Sequence, residues 1–121
     1  MGIVATTVCN ALFLAMLLTF SHALLKWVSI QDAGSFLDIA YKYWWIIAVA
    51  IGVYVFIFFY YAFILRVTSI SVLYPTYTGL SIVFVFVVGV FVFSEPVTGK
   101  QIFGCLLVLS GIYFVVGDSV K

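Results

Sequence analysis

Apolar residues dominate this chain in four long runs, and the polar residues gather where the runs end. The first run extends from about Ile3 to Lys26, the second from Trp44 to Leu65, the third from about Val72 to Phe93 and the fourth from about Ile102 to Val116. A helix needs about 20 mostly apolar residues to cross the hydrocarbon of a bilayer. Counting Gln101 and Gly117 at the edges of the last run, spans are predicted at about 3–26, 44–65, 72–93 and 101–118. Stretches such as SIVFVFVVGVFVF are rich in the β-branched and aromatic residues that favour strands. In lipid, however, only helices and closed barrels satisfy every backbone group. Barrel strands are about 10 residues long and alternate polar with apolar, whereas these runs are longer and do not alternate. The expected fold is therefore an all-α integral membrane protein, one domain over residues 1–121, with four transmembrane helices joined by short loops.

Of the connections, Ser29 to Tyr43 is the longest. It carries Gln31, Asp32, Gly34, Ser35, Asp38 and Lys42, which predicts a short surface helix or turn. Tyr41, Tyr43, Trp44 and Trp45 form an aromatic belt where the second span begins. Arg66, Thr68 and Ser69 mark the next turn, and Ser94-Glu95-Pro96 the last. Arg66 and Lys121 fall on the N-terminal side of the membrane, and Lys26, Lys42 and Lys100 on the other. That balance carries almost no positive-inside signal and is what insertion in both orientations would show.

Composition narrows the class further. Of 121 residues, 67% are hydrophobic and 7% charged, far below the roughly 25% charged residues of soluble domains. A net charge of +1 without a basic run excludes nucleic acid as an expected partner. Cys9 and Cys105 both sit in apolar runs and read as small hydrophobes without metal-ligand spacing. The first run lacks a positively charged leading segment and is long for a signal peptide, so it reads as a retained span. No triad, carboxylate pair, phosphate loop or metal cluster stands out. The expectation is a protein that is not an enzyme and uses no cofactor.

Chemistry concentrates on three faces. At about 100° per residue, His22 shares a face with Ala11, Ala15, Thr19 and Lys26, and Thr7 lies near its edge. Either Lys26 snorkels to the interface beside Trp27 with His22 hydrated below it, or the two bind an anion near the mouth of a cavity. In the third span Ser71, Tyr74, Tyr77, Thr78 and Ser81 gather on one side, while Pro75 and Gly79 mark a hinge. Beyond Ser81 this span is wholly apolar, a division suited to a polar headgroup with a lipid tail alongside. On the fourth span Gly104 and Gly111 share a face that favours close helix association and predicts a dimer interface. Glu95 directly before Pro96 reads as a structural helix start.

The lysine ending the first span, Tyr74-Pro75 with Gly79 in the third, Glu95-Pro96-Val97, and Gly104 with Gly111 together resemble the drug/metabolite transporter superfamily. The stretch from Leu73 to Asp118 is most similar to its four-helix EamA-like group, in particular the small subunits of the undecaprenyl phosphate–aminoarabinose flippase. The layout also resembles, more distantly, the small multidrug resistance family. Proteins of that family work as antiparallel dimers and use a glutamate in the first helix to exchange protons for cationic drugs. Here that place falls at Leu18, and the first span holds no acid.

The resemblance implies a flippase in the bacterial inner membrane that moves a polyprenyl phosphate-linked, aminoarabinose-like sugar for cell-envelope modification. Lys26 and His22 would hold the phosphate, Tyr74, Tyr77, Thr78 and Ser81 the sugar, and the apolar half of the third span the isoprenoid. The expected partners are that lipid-linked substrate, membrane lipids, and either a second copy (an antiparallel pair included) or a related four-helix subunit. The alternatives are an exporter of small cationic compounds, with Glu95 or Asp118 supplying the missing acid, and a non-transporting partner subunit.

Overall fold

In the computed structural model, which describes residues 2–31 and 34–118, five α-helices account for the regular structure. They are α1 (Gly2–Ser29), α2 (Phe36–Lys42), α3 (Trp44–Ile64), α4 (Ile70–Phe91) and α5 (Gly99–Asp118), and no strand forms among the described residues. Asp32 and Lys121, used above for the first loop and the charge balance, lie outside those residues. Four helices, all but α2, are long and apolar enough to cross a membrane. At 1.5 Å per residue α3, α4 and α5 reach about 30 Å, the thickness of the hydrocarbon, and the 28-residue α1 reaches about 42 Å. The last turns of α1 therefore have the length to stand in the headgroup region.

Packed between α3 and α4, α1 is the central helix, and α5 lies on the far side of α4. Its inward face is built from Thr7, Ala11, Leu14, Ala15 and Thr19 at helical spacing. Two alanines among five let neighbouring backbones come close, the usual basis of helix association where lipid offers no hydrophobic drive. Ala11, Leu14, Ala15, Leu73 and Thr76 are completely buried. The α1–α3 seam adds polar ties: Ser21 Oγ donates to the Ala50 carbonyl at 3.0 Å, and the Tyr60 hydroxyl to Asn10 Oδ1 at 2.8 Å. Buried hydroxyls elsewhere turn back on their own helix. Thr19, Thr76 and Ser81 each donate to the carbonyl four residues earlier at 2.7 Å, which removes the cost of an orphan donor in an apolar medium.

α2 crosses the end of the α1–α3 pair. Gly34, at φ +80, turns the chain into it, and Ser35 and Asp38 close a reciprocal N-terminal cap. Ile39 then docks on Val28 and Ile46, and Trp27 meets Tyr43 edge-on at 5.4 Å. The short surface helix and the aromatic belt thus form one structure at this end of the molecule.

At two places the expected elements are corrected. Glu95 and Pro96 do not start the fourth span: α5 begins at Gly99, after an irregular stretch. The cap is supplied by Thr98 and Gln101, each backbone N–H meeting the other's side-chain oxygen at 2.9–3.3 Å. The second concerns the expected hinge. α4 runs without interruption through Pro75 and Gly79. Gly79 instead serves packing, because a Cβ there would stand 2.7 Å from Ile112 Cδ1 and 3.3 Å from Val108 Cγ1. Nothing lies within 4 Å of the equivalent positions at Gly104 and Gly111, so the single chain leaves that face of α5 uncovered.

The two kinds of glycine should respond oppositely to substitution. Gly79→Val is expected to lower stability by about 1–3 kcal/mol through overpacking of α4 on α5. Gly52→Ala, where nothing lies within 4 Å, should raise it by about 0.5–1 kcal/mol through helix propensity alone. Reversible unfolding in detergent micelles measures both.

Candidate functional site

α1 and α4 run in the same direction, and the close contacts between them lie toward their N-terminal halves. Ala11, Leu14, Leu73 and Thr76 are completely buried there, and a separate space of about 320 Å³ opens beyond them, lined by Gly2, Thr6, Thr7 and Thr68. Toward the C-terminal halves the seam itself holds cavities. An apolar groove of about 490 Å³ is lined by Met16, Phe20, Phe84, Val87 and Val92, with Thr19, Ala23 and Val88 at its inner edge. A second groove, about 460 Å³, lies along Leu18, His22, Thr78, Ser81, Ile82 and Phe86. Between them lies a pocket of about 230 Å³ whose wall is mostly apolar, with Val85, Val88 and Phe93, and whose polar groups come from His22, Lys26 and Glu95; it is called the polar pocket below. It shares Thr19, Ala23 and Val88 with the first groove, and His22 and Val85 with the second. The three spaces thus adjoin along the α1–α4 seam and are called the cleft below.

The rim of the polar pocket is an ion pair. Lys26 Nζ lies 3.0 Å from Glu95 Oε1, with the side chains 44% and 48% exposed. The local chain is shaped to bring Glu95 there. Val88 receives the N–H of Val92 at 2.8 Å as α4 ends, Ser94 takes a left-handed conformation at φ +54, and the Glu95 N–H returns to the Gly89 carbonyl at 3.0 Å. Oε2 then rests against Gly89, where a Cβ would stand only 2.6 Å away. A left-handed serine is costly compared with glycine, and it persists here because the returning chain is fixed on both sides.

His22 is held one turn below Lys26. Its Nδ1 lies 2.8 Å from the Leu18 carbonyl, which can only accept, so Nδ1 carries the proton. The Tyr54 hydroxyl of α3 lies across the ring's edge, 3.3 Å from Nδ1 and 3.4 Å from Nε2. Thr78 and Ser81 give their protons to the Tyr74 and Tyr77 carbonyls at 2.7 Å, so toward the cleft they offer lone pairs.

Among the sequence-predicted site residues, the structure gathers Lys26, His22, Thr78 and Ser81 around this cleft. Tyr74 and Tyr77 are not part of it. Tyr77 packs against Tyr61 at 5.9 Å between ring centres, in the closed half beside Ile64 and Leu73. Tyr74 is 55% exposed and lines none of these spaces. Both share the helix face of Ser81 but sit one and two turns deeper, and helical side chains lean back toward the N-terminus, away from the cleft. Glu95, read as a helix start and, for a cation exporter, as a candidate acid, is the partner of Lys26. Thr19, on the His22 face as expected, lines the pocket too, and Gly89 and the His22 partner Tyr54 are further residues that the sequence did not single out. No group of three metal-ligating side chains occurs among the described residues.

A half-exposed pair should be weak. A double-mutant cycle with Lys26→Gln and Glu95→Gln is expected to give a coupling of about 0.5–1 kcal/mol, falling as salt is raised. Unfolding in detergent at low and high ionic strength would measure it.

No protein-family model, curated protein or solved structure matches the chain.

Proposed function

We propose that this multi-pass membrane protein is a carrier, not an enzyme, and that it flips a polyprenyl phosphate-linked sugar of the aminoarabinose type across a bacterial inner membrane. The observation that supports this most is that the pocket holding His22, Lys26 and Glu95 adjoins two apolar grooves, sharing lining residues with each. A phosphate suits the Lys26 ammonium, a compact charge on a flexible stem. Glu95 beside it suits a sugar amine, and the grooves suit an isoprenoid chain. The resemblance of the third and fourth spans to four-helix flippase subunits points the same way. A dimer, of identical chains or with a related four-helix subunit, would cover the Gly104–Gly111 face and enclose the path.

Transport of a fluorescent polyprenyl phosphate-linked amino sugar in liposomes tests this function. Lys26→Ala should slow it by about 10- to 100-fold, the loss of one charge-assisted contact. Equal rates with and without Lys26 would remove the proposed phosphate role.

Glu95 also supports a second reading. An acid now stands in the cleft, so the chemistry of an exporter of small cations has its counter-charge. In that case a proton gradient should drive uptake of quaternary ammonium compounds into vesicles, and Glu95→Gln should abolish it. Absence of uptake across a panel of such cations would exclude it.

A further inference from the structure

We propose that Lys26 and Glu95 form a clasp across the mouth of the α1–α4 cleft, with Gly89 and Ser94 as the residues that position it. The cleft's role as a carrier's binding site is the reading given above, but the clasp itself is a property of the substrate-free chain.

Three features carry the inference. The first is placement. The two charges come from different elements, the end of α1 and the segment after α4, and meet at 3.0 Å on the rim of the polar pocket. They tie together two parallel helices at the end where the His22 pocket lies, beyond the buried contact of Ala11, Leu14, Leu73 and Thr76.

Construction is the second. Ser94, just beyond α4, adopts φ +54, and the chain folds back so that the Glu95 N–H caps the Gly89 carbonyl at 3.0 Å. The Glu95 carboxylate fills the space that any side chain at position 89 would occupy. The turn that caps α4 thus also delivers the Glu95 carboxylate to the rim of the pocket.

Magnitude is the third. Pairs exposed to this degree contribute little to folding, so this one does not hold the bundle together. It is strong enough to bias an opening equilibrium by a few-fold and weak enough to be displaced by an occupant. An anion that takes Lys26, or a cation that takes Glu95, opens the clasp by the same step that binds it. Its closed state therefore guards the cleft against water and ions, and a suitable occupant releases it.

Solvent access to the pocket tests this without any substrate. Ala23 lines both the polar pocket and the larger groove. Ala23→Cys is introduced with Cys9→Ser and Cys105→Ser, and its reaction with a water-soluble methanethiosulfonate is timed in detergent micelles. Leu25→Cys, on the exposed outer side of α1, serves as the reference for reagent and micelle. Lys26→Gln and Glu95→Gln should each speed labelling of position 23 relative to position 25 by about three- to tenfold. The reversed pair, Lys26→Glu with Glu95→Lys, should restore slow labelling. Gly89→Ala should behave like Glu95→Gln, because its methyl evicts the carboxylate, and Ser94→Gly should stay slow. If Gly89→Ala does not fold, as judged by helicity, the reversed pair decides alone. Labelling that ignores both charges, or a reversed pair as fast as the single variants, would overturn the clasp. Failure of lipid transport would leave these rates unchanged, so the two proposals fail separately.

Discussion

The close packing of α1 on α4 at one end of the molecule is the contact from which everything else takes its place. Ala11 and Ala15 let the helices approach, and Leu14, Leu73 and Thr76 fill what space remains. In lipid this contact gains nothing from expelling water, so it depends on close fit and on having no unsatisfied donor. The threonines and serines meet the second demand by bonding to their own helix. Further along, Thr19 and Ala23 of α1 meet Val85, Val88 and Gly89 of α4 across cavities instead of a filled core. One helix pair is thus sealed over part of its length and open over the rest, and the open part is where the ionisable side chains stand.

That division also explains why two opposite charges are tolerated at this end. Buried deep in hydrocarbon, Lys26 and Glu95 would each carry a heavy desolvation cost. At the end of α1 and beyond the end of α4 they remain half exposed, beside Trp27 and the aromatic residues that mark a membrane surface. Snorkelling and ion binding, set against each other for Lys26 in the sequence, are not alternatives here. The side chain reaches the surface and finds a carboxylate waiting on the rim of a cavity.

The spans were legible because their signal is length and hydropathy, and lipid removes every competing architecture. The single-turn errors at their ends came from caps: Thr98 with Gln101, not Glu95 with Pro96, starts α5. The polar face of α1 was legible for the same reason, a strict helical period. The level of the cleft along α4 was not. Periodicity puts Tyr74, Tyr77 and Ser81 on one face but says nothing about where two helices part, which is set by the packing of Leu73 and Thr76 against α1. Glu95 could have been found from topology, since it is the only glutamate and lies at the same membrane end as Lys26. The proline after it drew attention to helix starts instead. Ser94 could be read only as part of a turn, and Gly89 carried no sequence signal, because its role exists only once Glu95 folds back.

The pairing of Lys26 with Glu95 bears on which cargo the cleft can select. A bare lysine would attract any anion, including the phosphates of ordinary membrane lipids, which surround the rim at high concentration. With Glu95 in place, a simple anion must displace a carboxylate already bound at 3.0 Å and leave it beside its own negative charge. A simple cation meets the mirror-image obstacle at Lys26. An occupant carrying both charges loses neither interaction, because each protein charge exchanges one partner for another. In the proposed clasp this half-exposed pair therefore gives a modest preference for an occupant carrying both charges over a singly charged one, which can still displace it. An amino sugar on a phosphate linkage satisfies that condition and a quaternary ammonium ion does not, which is the physical ground for ranking the lipid-linked amino sugar above the small cation.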